Sequence, residues 1–569
     1  MKKIIVYIAF SLFLILPFSC SEDFLEVENK NQLTDGNFYQ TQDDFLLALN
    51  SLYGPLMGTG AFGRQFQFIF GSQSDRILFE TPGMDQLSAV NPAGGGGVDD
   101  VWRSLYFGFY RTNVFVQKMN ENSDIEGMTD DMRIEYLTQA RALRAAYSFY
   151  LVTIFNRPPF YDENSVPEDL TVAVSNGEPE QFWDLIEADL VFAKDNGRLT
   201  YSGDDLGRIT SGAAAALLGK AMLYKHYYYY VRNGQKGSAE NIADLNTGLQ
   251  AFEQVMNSGV YKLVEIKEPK SRMDYIHGLL SNTSFVDLPA GDNIYESENN
   301  EESVWEIQFS DDRAGNFYLP GWQVTGSLNA QYFGPHGSSF KNHEAHPDLF
   351  EAFETEGAPE GFDRDPRAYA TLYMDGDTMD FRPENTAFYN ETFLSGLNNK
   401  RVAFNRGLIP NPNPYGTKSF GLKKYYYPVY NDKDAPENDP TNRRMIRYAD
   451  VLLMYAEIQF LLGQTTGAGL DALNQVRERV DMPTIDALSV EAIIHERDVE
   501  LALESHRWFD LIRWSFDPEW GINMQELLSR QLGPASSGDF FVTGKHEFLP
   551  IPLREINLSE GKLEQNPGW

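Results

Sequence analysis

A chain of 569 residues with 82 acidic against 47 basic side chains carries a formal charge of −35. Such a surface repels duplex nucleic acid and anionic bilayers, so neither is an expected partner. The single cysteine, Cys20, rules out a disulfide framework, and stability has to come from a core that the 42% hydrophobic and 14% aromatic content can supply.

The chain starts with Lys2 and Lys3, an apolar run from Ile4 to Leu16, and then Leu16-Pro17-Phe18-Ser19-Cys20. The run has the length of a signal-peptide core and falls short of the roughly 20 apolar residues of a bilayer span. Residues 16–20 resemble a lipobox, in which a peptidase cuts before the cysteine and its thiol is acylated. On this reading residues 1–19 are a lipoprotein signal peptide, Cys20 is the lipidation site, and residues 20–569 form one domain. Two or more acyl chains anchor a protein stably. The alternative is an ordinary signal or N-terminal membrane helix, with Cys20 incidental. No later segment has 18 uninterrupted apolar residues, so the rest is expected outside the bilayer.

Apolar residues recur at helical spacing over 43–57, where Gly54-Pro55 interrupts the pattern, and again over 101–119. The clearest helix is predicted over 130–156, with Ala140, Leu143, Tyr147, Tyr150, Leu151 and Ile154 in one stripe and Pro158-Pro159 as its stop. Further helices are expected at 180–194, after a Thr210-Ser211 cap, at 245–257, at 443–462 and at 467–480. Small residues such as Ala221, Ala456 and Ala472 stand where paired helices approach closely. The expected fold is mainly α: a degenerate tetratricopeptide-like array of helix pairs without a strict repeat, over about 38–260 and 441–515. The stretch of about 264–440 differs. It is rich in Gly, Pro, Asn, Asp and aromatics, and reads as ordered loops and short strands on the helical scaffold, where binding usually resides.

Several motifs have a plainer structural reading. Gly58 to Gly63 fits G-x-G-x-x-G, but an amphipathic helix precedes it where a dinucleotide site needs a strand. Gly94 to Gly97 lacks the Lys-Ser or Lys-Thr of a P-loop. His343 and His346, with Glu344 between them, would need a third ligand and the right geometry to hold zinc, and a hydrated loop is the plainer reading. Asp375, Asp377 and Asp380 do not have EF-hand spacing, so no cofactor is expected, with structural calcium as the one open exception. Arg497, Glu500, Arg507 and Asp510 lie at helical spacings and read as scaffold salt bridges rather than an acid/base cluster.

The stretches SCSEDFLE, QARALRAAYSFYLVTIFNRPPF, RYADVLLMYAEIQFLLG, HERDVELALESHRWFDLIRW (495–514) and EFLPIPLREINLSEGKLEQNPGW resemble, in order, those of the SusD/RagB family of surface lipoproteins of Bacteroidota. Ser21-Glu22-Asp23 is similar to the acidic signal that sends such lipoproteins to the cell surface. The resemblance implies a right-handed helical scaffold with an irregular ligand-binding half. It implies a lipid anchor in the outer membrane, a SusC-like TonB-dependent transporter as partner, and no catalysis. The expected ligand is a glycan, captured and passed inward. Peptide capture in the same role is the alternative, and a surface glycoside hydrolase or a scaffold without a ligand site are weaker rivals. A sugar ring stacks its C–H face on an aromatic ring, so the expected contacts are Trp322 in LPGWQVTG, Tyr318 four residues before it, Tyr332 and Tyr389. Polar contacts are expected from Asp75 and Arg76 in the segment after the first helix.

Overall fold

The computed structural model describes residues 38–71, 74–79, 91–94, 97–167, 174–266, 298–310, 326–327, 343–374, 378–380, 401–403, 420–424, 441–529 and 541–569. Long helices dominate: α1 (Gln42–Ser51), α2 (Val98–Glu121), α3 (Asp130–Phe155), α4 (Pro179–Asn196), α5 (Ser211–Lys225), α6 (Ala239–Met256), α7 (Tyr448–Leu461), α8 (Ala468–Arg479), α9 (Val490–Glu500) and α10 (Arg507–Ser515). Their starts follow from local chemistry. Thr41 and Asp44 form a reciprocal capping box on α1, and the Thr129, Thr210, Ser238 and Ser489 side chains each accept a backbone N–H in the first turn of α3, α5, α6 and α9. Serine at position 238 explains why α6 begins six residues before the expected 245.

Each helix from α2 to α6 packs on its successor, α7 packs on α8, and α7 also lies against α5, α6 and α9. The mainly α, helix-pair architecture is therefore present. Its core is continuous and aromatic, with Trp183, Trp514, Tyr147 and Tyr224 fully buried. Ala221, Ala456 and Ala472 are completely buried at helix contacts, as expected.

Two stretches of helical spacing are interrupted. The 443–462 stretch opens as a strand, β8 (Arg443–Arg447), antiparallel to β2 (Ser303–Ile307), and only then becomes α7. Strand pairing across a separation in sequence overrides helical periodicity there. The 495–514 stretch breaks between α9 and α10, where Leu503 and Ser505 take φ of 67° and 65°. Left-handed backbone at a bulky leucine is strained and persists only where its surroundings hold it. Here the Leu503 carbonyl accepts from Gln67 Nε2 at 3.3 Å and the Ser505 hydroxyl donates to Gln67 Oε1.

The G-x-G-x-x-G run forms a tight turn between Gly54–Met57 and the π-helical turn Gln67–Gly71, and it packs on α2. A Cβ on Gly60 would lie 2.2 Å from the Asp100 carbonyl, and one on Gly63 would lie 2.4 Å from that of Met57. These glycines serve backbone packing.

The described parts of the loop-rich half have a small core of their own. Ile77, Leu349, Phe353, Leu372 and Leu422 cluster with Val480, Val499 and Leu503 from the C-terminal scaffold. Short antiparallel pairs border it: β1 (Ile77–Phe79) with β3 (His343–Ala345), and β4 (Leu372–Tyr373) with β7 (Gly421–Leu422).

Candidate functional site

The segment after α1 reaches the loop-rich half through β1. Ile77 pairs with Ala345 and Phe79 with His343, the His346 N–H donates to the Arg76 carbonyl at 2.9 Å, and Ala345 bridges to Phe420. Asp75 and Arg76 thus stand at the seam between scaffold and loops. Four charged groups meet there. Arg507 donates from Nε and Nη2 to the two Asp75 oxygens at 2.9 Å each. Arg76 Nε donates to Asp498 at 3.1 and 3.0 Å, while Arg507 lies 3.6 Å from Asp498. Burial raises the Asp75 pKa, but the Arg507 and Arg76 guanidiniums outweigh it and hold the carboxyl well below the usual range. With Asp75 6% exposed and both oxygens taken, its work is to hold this square. The Arg76 side chain is 18% exposed, and its Nη1 makes no hydrogen bond among the described residues.

The other expected contacts, Tyr318, Trp322, Tyr332 and Tyr389, lie outside the described residues, as does Cys20. The His346 Nδ1 accepts from the Asp348 N–H at 3.0 Å and caps the helix Pro347–Ala352. Among the described residues no group of three or more metal-ligating side chains comes together; Asp375 and Asp377 are not among them.

Arg497, Glu500, Arg507 and Asp510 are all engaged in ion pairs. Arg497 bonds Asp510 and Asp450 at 2.9 Å each. Glu500 belongs to a larger buried layer that periodicity does not reveal. Arg447 reaches Glu302 at 2.7 Å, Glu500 at 2.6 Å and Glu504 at 2.9 Å. Arg479 also binds Glu302 at 2.9 Å, Lys424 binds Glu504 at 3.0 Å, and Arg367 binds Glu500 at 3.0 Å. The layer continues through Glu496 and Arg477 to Glu354. Burial raises the Glu500 pKa, yet Arg479, Arg447 and Arg367 more than reverse this and keep it well below the ordinary value. Glu504 is likewise brought down to about 2, against its burial, by Arg447 and Lys424. Carboxylates held this firmly in the charged form fix geometry and are poor proton donors. The layer ties Arg367 and Lys424 of the loop-rich half to α8, α9 and β8 of the scaffold.

A family model described as the SusD family matches residues 301–569. A SusD-like protein of Formosa agariphila is 26% identical over 594 aligned residues, covering 99% of this chain and 98% of that protein. A SusD-like protein of Bacteroides ovatus is 23% identical, covering 96% of this chain and 94% of its own. Among solved structures, a laminarin binding SusD-like protein aligns with a TM-score of 0.67 at 23% identity, over 93% of this chain and all of that one. Surface glycan-binding protein A from Bacteroides thetaiotaomicron, in complex with laminarihexaose, aligns with a TM-score of 0.63 at 19% identity, over 92% of this chain and 99% of that one.

Proposed function

We infer that the chain is a member of the SusD family, and from that premise we propose that it is a non-catalytic binding protein that captures oligosaccharides and polysaccharides at the cell surface. Acylation of Cys20 holds it in the outer membrane, and it passes its ligand to a SusC-like TonB-dependent transporter. The observation that carries this reading is end-to-end similarity to proteins of one architecture, among them a laminarin binding protein and one in complex with laminarihexaose. The chain's own geometry supports it: the segment after α1 is tied to α9 and α10 by the Asp75 square and to the loop-rich half by the β1–β3 pair, with Arg76 offering a guanidinium nitrogen. Tyr318, Trp322, Tyr332 and Tyr389 supply the ring faces on which sugars stack. Capture of this kind needs no cofactor.

The test is native electrophoresis of the soluble form beginning at Ser21 through gels containing single polysaccharides, laminarin first. Retardation by one glycan class, weakened by Trp322→Ala and Tyr318→Ala, is the expected result. A folded protein that no polysaccharide retards overturns the reading.

A further inference from the structure

A cleft of about 210 Å³ opens on the scaffold, lined by the α4–α5 connection, the residues just after α6, and the turn leading into β2. None of its lining residues belongs to the Asp75 square or to the aromatic set of the loop-rich half. We propose that this cleft is a second carbohydrate subsite, sized for one neutral sugar ring. The inference rests on the glycan-capture reading and adds a site to it.

Size sets the first limit. Pockets for drug-sized ligands run to roughly 300–1,000 Å³, so this one suits a single ring rather than a long oligomer. Its surface chemistry is amphipathic. Leu199 and Leu206 on its wall are 40% and 50% exposed, a pairing of large apolar side chains at one opening, and the Tyr201 ring lines the same cleft. A sugar presents a C–H face to such a surface and hydroxyls at its edge. For those hydroxyls the cleft has the Thr200 side chain, the Glu301 carboxylate and the Tyr201 hydroxyl, which receives only a long bond of 3.4 Å from Gln139.

The walls are fixed in advance. Arg208 uses three nitrogens on Asp205 at 2.6 Å, Gln139 at 3.1 Å and Asn50 at 3.0 Å. Asn299, at a φ of 52°, exchanges amide hydrogen bonds with Gln308 at 3.0 and 2.9 Å. Gly207, at a φ of 92°, lets the loop settle on Gln308, whose Cγ would lie 2.2 Å from an added Cβ. Such a cleft stays open without a ligand, and little ordering is left for binding to impose.

Charge selects the ligand class. Arg208 is the one cation in the lining, and its guanidinium is already committed. Of the two carboxylates in the lining, Glu306 is buried and paired with Arg444 at 2.8 Å, and Glu301 stands 3.8 Å from the Lys262 ammonium. A sulfated or uronic sugar would find no uncommitted cation among the described lining residues to pair with, so a neutral hexose is the fitting occupant.

The test is saturation-transfer NMR with the methyl glycosides of glucose, mannose and galactose, on the wild-type soluble chain and on Leu206→Asp, Tyr201→Ala and Trp322→Ala. Leu206 is a surface side chain, so its substitution leaves the fold intact. The expected result is transfer to at least one glycoside that persists in Trp322→Ala and weakens roughly tenfold in Leu206→Asp and Tyr201→Ala, equivalent to about 1.4 kcal/mol. Transfer that Trp322→Ala abolishes and Leu206→Asp leaves unchanged overturns the subsite while glycan capture stands. Absence of transfer from all three glycosides also overturns it, and polysaccharide gels then report on glycan capture separately.

Discussion

Replacing Arg447 with methionine tests whether the buried charge layer holds the loop-rich half to the scaffold. The Arg447 side chain is 2% exposed and pairs with Glu302, Glu500 and Glu504, which it shares with Arg479, Arg367 and Lys424. Removing one partner of a buried pair costs about 3–5 kcal/mol, because the remaining charges stay buried. Glu504 gives a second measure. Held at about 2 rather than its ordinary 4.5, its carboxyl contributes about 3 kcal/mol at neutral pH, an amount Arg447 shares with Lys424. Because the folded pKa is depressed, that contribution is complete above 4.5 and is lost as pH falls toward 2. In Arg447→Met the carboxyl returns toward its ordinary value. The gap between wild type and variant is therefore widest at neutral pH and narrows below 4.5. Denaturant unfolding of the soluble form, followed by circular dichroism at neutral pH and at about pH 3.5, measures both. A neutral-pH gap below about 1 kcal/mol, or an equal gap at both pH values, refutes the electrostatic account.

Two further perturbations probe the scaffold. A Cβ on Gly108 would lie 2.1 Å from the Tyr147 ring, which is held by its hydroxyl donating to the Leu52 carbonyl at 2.7 Å. Gly108→Ala is therefore expected to lose about 1–3 kcal/mol despite the better helix former, and Tyr147→Leu in the same chain to recover part of it; simple additivity of the two losses in denaturant unfolding would contradict the clash. His506 is brought down to about 4, chiefly by burial, with Asp450 opposing and Lys220 reinforcing. The folded state thus binds fewer protons than the unfolded, and stability falls by up to about 3 kcal/mol as pH drops from 6.5 to 4. His226, also brought down to about 4, adds to the same limb. His506→Gln should flatten Tm against pH over this range, and an unchanged slope would show that His506 does not carry it.

Much of the helical scaffold was legible in the sequence because its signals are local. The stripe through Ala140, Leu143 and Tyr147 and the cap at Thr210 act within a few residues, and the structure has both. Where the reading slipped, a distant partner intervened. Arg443–Arg447 has helical spacing but pairs with Ser303–Ile307, and the α9–α10 break is held by Gln67. The Arg497 cluster was legible as salt bridges by its composition, though not by its partners. Glu302 and Arg447, 145 positions apart, meet only through the fold.

At the candidate site the residue types were readable and their duties were not. Asp75 and Arg76 look equivalent as polar contacts in sequence. Arg507, 432 positions from Asp75, takes both its oxygens and leaves Arg76 as the outward member. The cleft beside Tyr201 left no trace at all, because its walls come from three separate connections. The sequence by itself determined which segments are helical, that they pair around an aromatic core, and which family's stretches they follow. These are properties of periodicity and local propensity. Only the tertiary structure decided which charges neutralise one another, which helices break and where a ring-sized cleft stays open. Coulomb pairing and close packing depend on distances in space, which spacing along the chain does not encode.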